Sequence, residues 1–233
     1  VRERSAWPPE GTADPTRLDF HLFGYGQYAK TQVLPNLGRR LHLSVVHEID
    51  PAQIGPVDRN SEVVWDTSPR PRQGEAVDVA AVAGFHHTHA PLAAELIRRG
   101  ARHVVVEKPL ATSEDQLDDL IEALTSNPEA RIHGAFQRRF SPFNPLVRED
   151  LGGGPLSFAA VVYEVPLPAR HWYLWPVSGG PIVSNGCHWI DHFLWLNEFS
   201  EPVRLGVEVL SDQAVISLEL ASGASASISL RHR

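Results

Sequence analysis

The chain of 233 residues contains no methionine, not even at position 1. A natural chain of this length would carry several, so the sequence as it stands is expected to be incomplete. Spacings inside tight motifs therefore carry more weight than spacings across loops. Cysteine is nearly as scarce: the single Cys187 excludes an internal disulfide and any multi-cysteine metal site. No apolar run approaches membrane-spanning length, and the N-terminus lacks the apolar core of a signal peptide. Basic charge is in deficit too. The formal net charge of −7 argues against a nucleic-acid or anionic-membrane partner, either of which would want a basic face. There is no internal repeat and no low-complexity tract. The expectation is a soluble cytoplasmic protein, and 42% hydrophobic with 21% charged residues is ordinary for one.

What is present is a rhythm. Residues 1–16 mix charge with Pro and Gly and read as a mobile arm. The apolar run RLDFHLF leads through a glycine turn into QYAKTQVLPNLGRRL, a helical pattern that Pro35 should kink or shorten. LHLSVVHEID reads as a strand ending in two carboxylates, SEVVWDTS as a short strand, and SPRPRQGE as a connector. The strand VDVAAVAG precedes FHHTHAPLAAELIRRG, a loop and helix stopped at Gly100. Next come the strand RHVVVEKP and the helix TSEDQLDDLIEALTSN, with Ser113 and Gln116 at capping-box spacing; ARIHGAF closes the series.

Strand–helix alternation at this pace packs as a parallel sheet with right-handed crossovers. Near residue 137 the texture changes to the strands LSFAAVVYEV, VRLGVEVL, QAVISLELASG and ASASISLR, with one apolar helix, CHWIDHFLWLN. The expected fold is α/β. A dinucleotide-binding, doubly wound parallel sheet spans residues 17–136, and an α+β domain on an open, largely antiparallel sheet spans 137–233.

Gly24-Tyr25-Gly26-Gln27-Tyr28-Ala29 fits G-x-G-x-x-A in the first βα unit. The first glycine permits the tight turn, the second lets backbone approach a pyrophosphate, and the small third residue lets helix pack on strand. Glu48 and Asp50 end the next strand, about where a ribose-binding carboxylate belongs. Glu48 is the first choice by spacing and Asp50 the alternate. A carboxylate there repels a 2′-phosphate and favours NAD, while Arg39 and Arg40 before the strand keep NADP open.

Two further strand ends carry chemistry. Gly84-Phe85-His86-His87-Thr88-His89 places three histidines in four positions, but no acidic or cysteine partner lies nearby. A loop against the cofactor is the better reading than a metal site. Glu107-Lys108-Pro109 follows the apolar HVVV. A solvated surface pair is the plain alternative, yet a lysine at this end of a parallel sheet can hydrogen-bond or protonate an oxygen that receives hydride.

G-x-G-x-x-A, Thr88-His89-Ala90, VVVEKPLATS, FQRRFSPF and SGGPIVSNGCHWID occur in an order that resembles the Gfo/Idh/MocA oxidoreductases over roughly residues 18–196. The resemblance implies a Rossmann domain followed by an α/β domain whose open sheet carries the substrate pocket and often oligomer contacts. It implies that Glu107 and Lys108 lie beside the nicotinamide, with Pro109 after a cis peptide, and that His188 moves the hydroxyl proton. Asp191, one helical turn on, could orient substrate or histidine. Arg139 (or its neighbour Arg138) could meet an anionic group, and Trp172 with Trp175 could cover substrate or nicotinamide. Trp172 and Trp175 could equally be core or interface residues. Cys187 reads as a small buried residue.

The chain departs from the family pattern at Ser184, which stands where an aspartate is common. Gln137 stands for asparagine, and Phe85-His86 for a common Pro-Asn pair. The chain is also shorter than family members usually are. The leading expectation is an NAD(P)-dependent oxidoreductase acting on a CH–OH or C=O group of a sugar, cyclitol or related polyol. The alternatives are an imine reductase of the same fold and a catalytically lapsed NAD-binding sensor.

Overall fold

The computed structural model describes residues 17–54, 62–72, 77–152, 154–211 and 213–231. The expected N-terminal arm, residues 1–16, lies outside them, as do residues 73–75 of the connector. The first half runs β1 (Leu18–Phe23), β2 (Leu41–His47), α1 (Pro51–Ile54), β3 (Val64–Asp66), β4 (Val79–Val82), α2 (His89–Arg98), β5 (His103–Val106), α3 (Glu114–Ser126) and β6 (Arg131–Gly134). Its six strands form one sheet in the order β3-β2-β1-β4-β5-β6, with every pairing parallel. The order reverses between β1 and β4, so their loops diverge and leave a crevice at the carboxyl ends.

Strands covered on both faces must be apolar throughout. All four residues of β4 are buried, as are Phe20, Leu22 and Phe23 of β1. On one face Ala93, Leu96 and Ile97 of α2 and Leu120 and Ala123 of α3 fill the core with Val104 and Val106 of β5. The helical segment after the glycine turn is short. It passes through a π-helical turn, Ala29–Val33, into a 3₁₀ turn, Leu34–Asn36. Pro35 lacks the N–H that would continue the ladder, which accounts for the shortening. The α3 cap differs from a reciprocal capping box. Ser113 Oγ accepts from Gln116 N–H at 3.4 Å, but Gln116 Oε1 takes the N–H of Thr112 at 3.0 Å, one residue upstream.

The second half runs α4 (Asn144–Leu151), β7 (Ser157–Tyr163), α5 (Cys187–Leu196), β8 (Pro202–Val209), β9 (Gln213–Leu220) and β10 (Ser225–Arg231). Its sheet has the order β7-β10-β9-β8, antiparallel at β10–β9 and β9–β8 and parallel at β10–β7. Period-2 alternation turns Ala214, Ile216, Leu218 and Leu220 of β9, with Ala226, Ile228 and Leu230 of β10, to one face. Phe193 of α5 seals that face. Among the described residues no helix is long and apolar enough to cross a membrane. Phe193 has no exposed surface. Phe193→Ala should therefore cost about 3–5 kcal/mol of unfolding free energy, read from the urea midpoint at constant m.

Candidate functional site

At the β1 turn, Gly24 has φ +96°, and its N–H donates to the His47 carbonyl at 2.8 Å. A Cβ on Gly24 would stand 2.7 Å from the Ala83 carbonyl carbon and from Gly84 N. No side chain fits there. Gly26 is the opposite case: a Cβ would meet nothing within 4 Å. That open space faces a cleft of about 510 Å³ walled by Gly24, Gly26, Gln27, Glu48, Asp50, Gly84 and Phe85. Ala29 is fully buried beneath the turn, where only a small residue lets helix meet strand.

Glu48 is buried, and its two carboxylate oxygens accept from Tyr25 N–H at 2.6 Å and Asp50 N–H at 2.9 Å. Asp50 Oδ1 accepts from Ala52 N–H at 3.0 Å and so starts α1. Both carboxylates reach the cleft, with Glu48 tied to the glycine turn itself. An open pyrophosphate cradle and a carboxylate at the end of β2 fit a nicotinamide dinucleotide, which the glycine turn and Glu48 would hold. Tyr25 stands beside this turn with its ring edge-on to Trp65. Sequence reasoning missed His47 and Leu92 on the same wall, while Thr88 belongs to the loop it did place there. His47 and Leu92 fall inside a strand pattern and a helix pattern, and nothing in the sequence singles them out there.

The three loop histidines are scattered in role. His89 is fully buried, with Nδ1 2.8 Å from the Pro109 carbonyl and Nε2 3.2 Å from that of Gly84. It clamps the β4 and β5 loops together and does not line the cleft. His86 is buried under Trp172 and Tyr173, at ring separations of 4.7 and 4.5 Å, and its Nδ1 lies 3.3 Å from the Ser178 carbonyl. Burial, reinforced by the Lys108 and His89 charges, lowers its pKa to about 3. His87 stacks on Phe85. Trp172 joins the wall of the first cleft from the second half of the chain, packing edge-on to Phe85 at 5.3 Å.

Lys108 follows β5 and immediately precedes a cis Lys108–Pro109 bond. Its Nζ donates to the Ser184 carbonyl at 3.0 Å and the Tyr173 hydroxyl at 3.2 Å. It opens on a second cleft, of about 500 Å³, walled also by Glu164, Tyr173, Ser184 and Asn185. Glu107 is raised in pKa by burial, and the Tyr28 hydroxyl hydrogen-bonds its carboxylate. Tyr173 and Glu164 were not found in the sequence because they lie outside the motifs quoted, and Asn185, inside SGGPIVSNGCHWID, carries no signal that singles it out.

His188 lies in the first turn of α5, is buried edge-on to Phe136 and lines neither of the two clefts itself. Its Nδ1 has no hydrogen-bond partner among the described residues. Burial, then the Lys108 and Arg138 charges, lowers its pKa to about 4, so the imidazole is neutral at physiological pH. Asp191 does not face His188. Its carboxylate takes a two-point grip from Arg139, Nε to Oδ2 at 2.9 Å and a second guanidinium N–H to Oδ1. The expected substrate contacts of Asp191 and Arg139 are thus met by each other, and neither lines either of these two clefts. Arg138 lies over the Trp189 ring at 4.0 Å, and Gln137 is exposed. Burial pushes the Cys187 thiol up to about 11.

Residues 18–133 match the family described as "Oxidoreductase family, NAD-binding Rossmann fold", the Gfo/Idh/MocA group. The chain belongs to this family. It is 27% identical over 182 residues to inositol 2-dehydrogenase 1 of Saccharopolyspora erythraea, covering 73% of this chain and 53% of that protein. To inositol 2-dehydrogenase 2 of the same organism it is 31% identical over 120 residues, 52% of this chain and 35% of that one. The chain thus spans about half, or less, of the length of these relatives. In fold it is similar to myo-inositol 2-dehydrogenase from Lactobacillus plantarum, with TM-score 0.77 and 16% identity over 93% of this chain and 70% of that one. Apo scyllo-inositol dehydrogenase from Lactobacillus casei gives TM-score 0.74 and 14% identity over 94% and 69%.

The two glycines separate folding from binding. Gly26→Ala should leave Tm unchanged and weaken NADH binding at least about tenfold, read by fluorescence titration, because its methyl group enters only the cradle. Gly24→Ala should lower both. The histidines set a pH dependence. Between about pH 4 and 6.5 the unfolded chain binds a proton at position 188 that the folded chain does not, so stability rises with pH across that window. His188→Asn should show a shallower rise in urea unfolding from pH 4 to 6.5, and parallel curves would remove His188 from the account.

Proposed function

We propose that the chain is an NAD(P)-dependent oxidoreductase that interconverts a CH–OH group and a carbonyl on a cyclitol, sugar or related polyol. Residues 17–136 would hold the dinucleotide and 137–233 most of the substrate wall. The observation that carries this reading is the position of Lys108. Its ammonium leaves the carboxyl end of β5 and reaches the second cleft, while the glycine turn of the same sheet edges the first. The named relatives are inositol dehydrogenases, which supports the substrate class. When bound, the nicotinamide supplies the acceptor or donor of hydride. Lys108 polarises the reacting oxygen, and His188, held neutral, takes the hydroxyl proton in the oxidative direction. Glu48 favours NAD.

Assembly through the second sheet belongs to the same proposal. Leu205, Val207 and Val209 of β8 pair with the buried Leu218, Ile216 and Ala214, yet are themselves exposed. A row of this kind suits burial against further protein.

Lys108→Ala should reduce turnover of myo-inositol with NAD at least about 10³-fold and leave NADH affinity within a few fold. The acid limb of wild-type kcat/KM should fall near pH 4 rather than near 6.5. Full activity of the variant would remove the lysine's role. Turnover of cyclic imines alone would favour the imine reaction. Dinucleotide binding with no turnover of either class would favour a sensor.

A further inference from the structure

The second cleft is walled by one carboxylate, Glu164, among its ten lining residues. Its placement follows from the strand before it. Along β7, Phe158, Ala160 and Val162 turn toward the core while the residues between them are exposed. Glu164 is the next even position, and its N–H continues the pairing by donating to the Arg231 carbonyl at 3.0 Å. The side chain therefore leaves the inner face of the sheet where that face runs out into the cleft. There Oε1 accepts from Asn185 Nδ2 at 2.8 Å. Asn185 adjoins Ser184, whose carbonyl holds the Lys108 ammonium.

The rest of the wall is lopsided. Val165, Pro166, Leu167, Leu174 and Pro181 supply half of it and offer no side-chain hydrogen bond. A substrate in this cleft meets a polar edge made by Lys108, Tyr173, Asn185 and Glu164, and an apolar edge opposite in character. Hydroxyl groups donate to a carboxylate through a charge-assisted hydrogen bond, the strongest kind available to a neutral polyol.

We propose that Glu164 is a substrate-binding, specificity-determining residue, accepting a hydroxyl of the polyol away from the reacting oxygen at Lys108. This rests on the function proposed above. The residue acts on binding rather than on hydride or proton movement. A hydroxyl on the substrate face that meets Leu167, Leu174 and Pro181 is left without a partner, and that face is bound best when it is least hydroxylated.

The test is a chemical double-mutant cycle. Wild type and Glu164→Gln are titrated calorimetrically, each saturated with NADH, which cannot accept hydride from an alcohol, against myo-inositol and a set of monodeoxy-inositols that each lack one hydroxyl. In the wild type, loss of one particular hydroxyl should weaken binding about 10- to 100-fold, the range for a hydrogen bond to a charged group. Glu164→Gln should weaken myo-inositol by a similar factor, yet bind that one deoxy compound as the wild type does. Asn185→Ala serves as the control for a merely structural role, and should lose less discrimination than Glu164→Gln. Equal weakening of every ligand by Glu164→Gln, or no binding of any of them to wild type, overturns the assignment. Binding with the expected pattern but no NAD reduction would keep it and overturn the proposed reaction instead.

Discussion

One ammonium group joins the two halves of this chain. Lys108 Nζ leaves the parallel sheet and finds its acceptors, the Ser184 carbonyl and the Tyr173 hydroxyl, in the other half. A buried or half-buried cation without acceptors would be costly, so these bonds fix where the lysine points. Its root is fixed as firmly. His89 lies against the carbonyls of Pro109 and Gly84, tying the loop that carries the lysine to the loop that edges the first cleft. The relation of the two clefts follows from those two sets of contacts.

The histidines near this junction belong to one electrostatic field. His86 and His188 are both lowered in pKa by burial first and by Lys108 second. Removing imidazolium from the surroundings lets the lysine sit there without like-charge repulsion. Glu107 answers from the other side: burial raises it, while Lys108 and the Tyr28 hydroxyl pull it back toward the charged form.

Much of the fold was legible because its signals are local. The alternation of apolar strands with helices foretold the six parallel strands, and a change in texture near residue 137 marked the second sheet. Gly24 was readable since a tight turn at positive φ, with no room for a Cβ, favours glycine. The site was legible only where a motif concentrated it. The Arg139–Asp191 pair spans 52 positions, and no periodicity connects a 3₁₀ turn to a helix that far away. Glu164 reads in sequence as one more polar residue at a strand end, and only the β7–β10 pairing brings it to the cleft. His89 looked like a cofactor contact, whereas its neighbours make it a brace.

The brace divides labour within the chain. Both loops it joins come from the parallel sheet, so the reach of the lysine is set before the second sheet contributes anything beyond two acceptors, one of them a backbone carbonyl that any residue at 184 would supply. Side chains on the cleft's far wall can then be exchanged over generations without disturbing the distance between lysine and dinucleotide. A lineage built this way can change what it acts on more readily than how it acts.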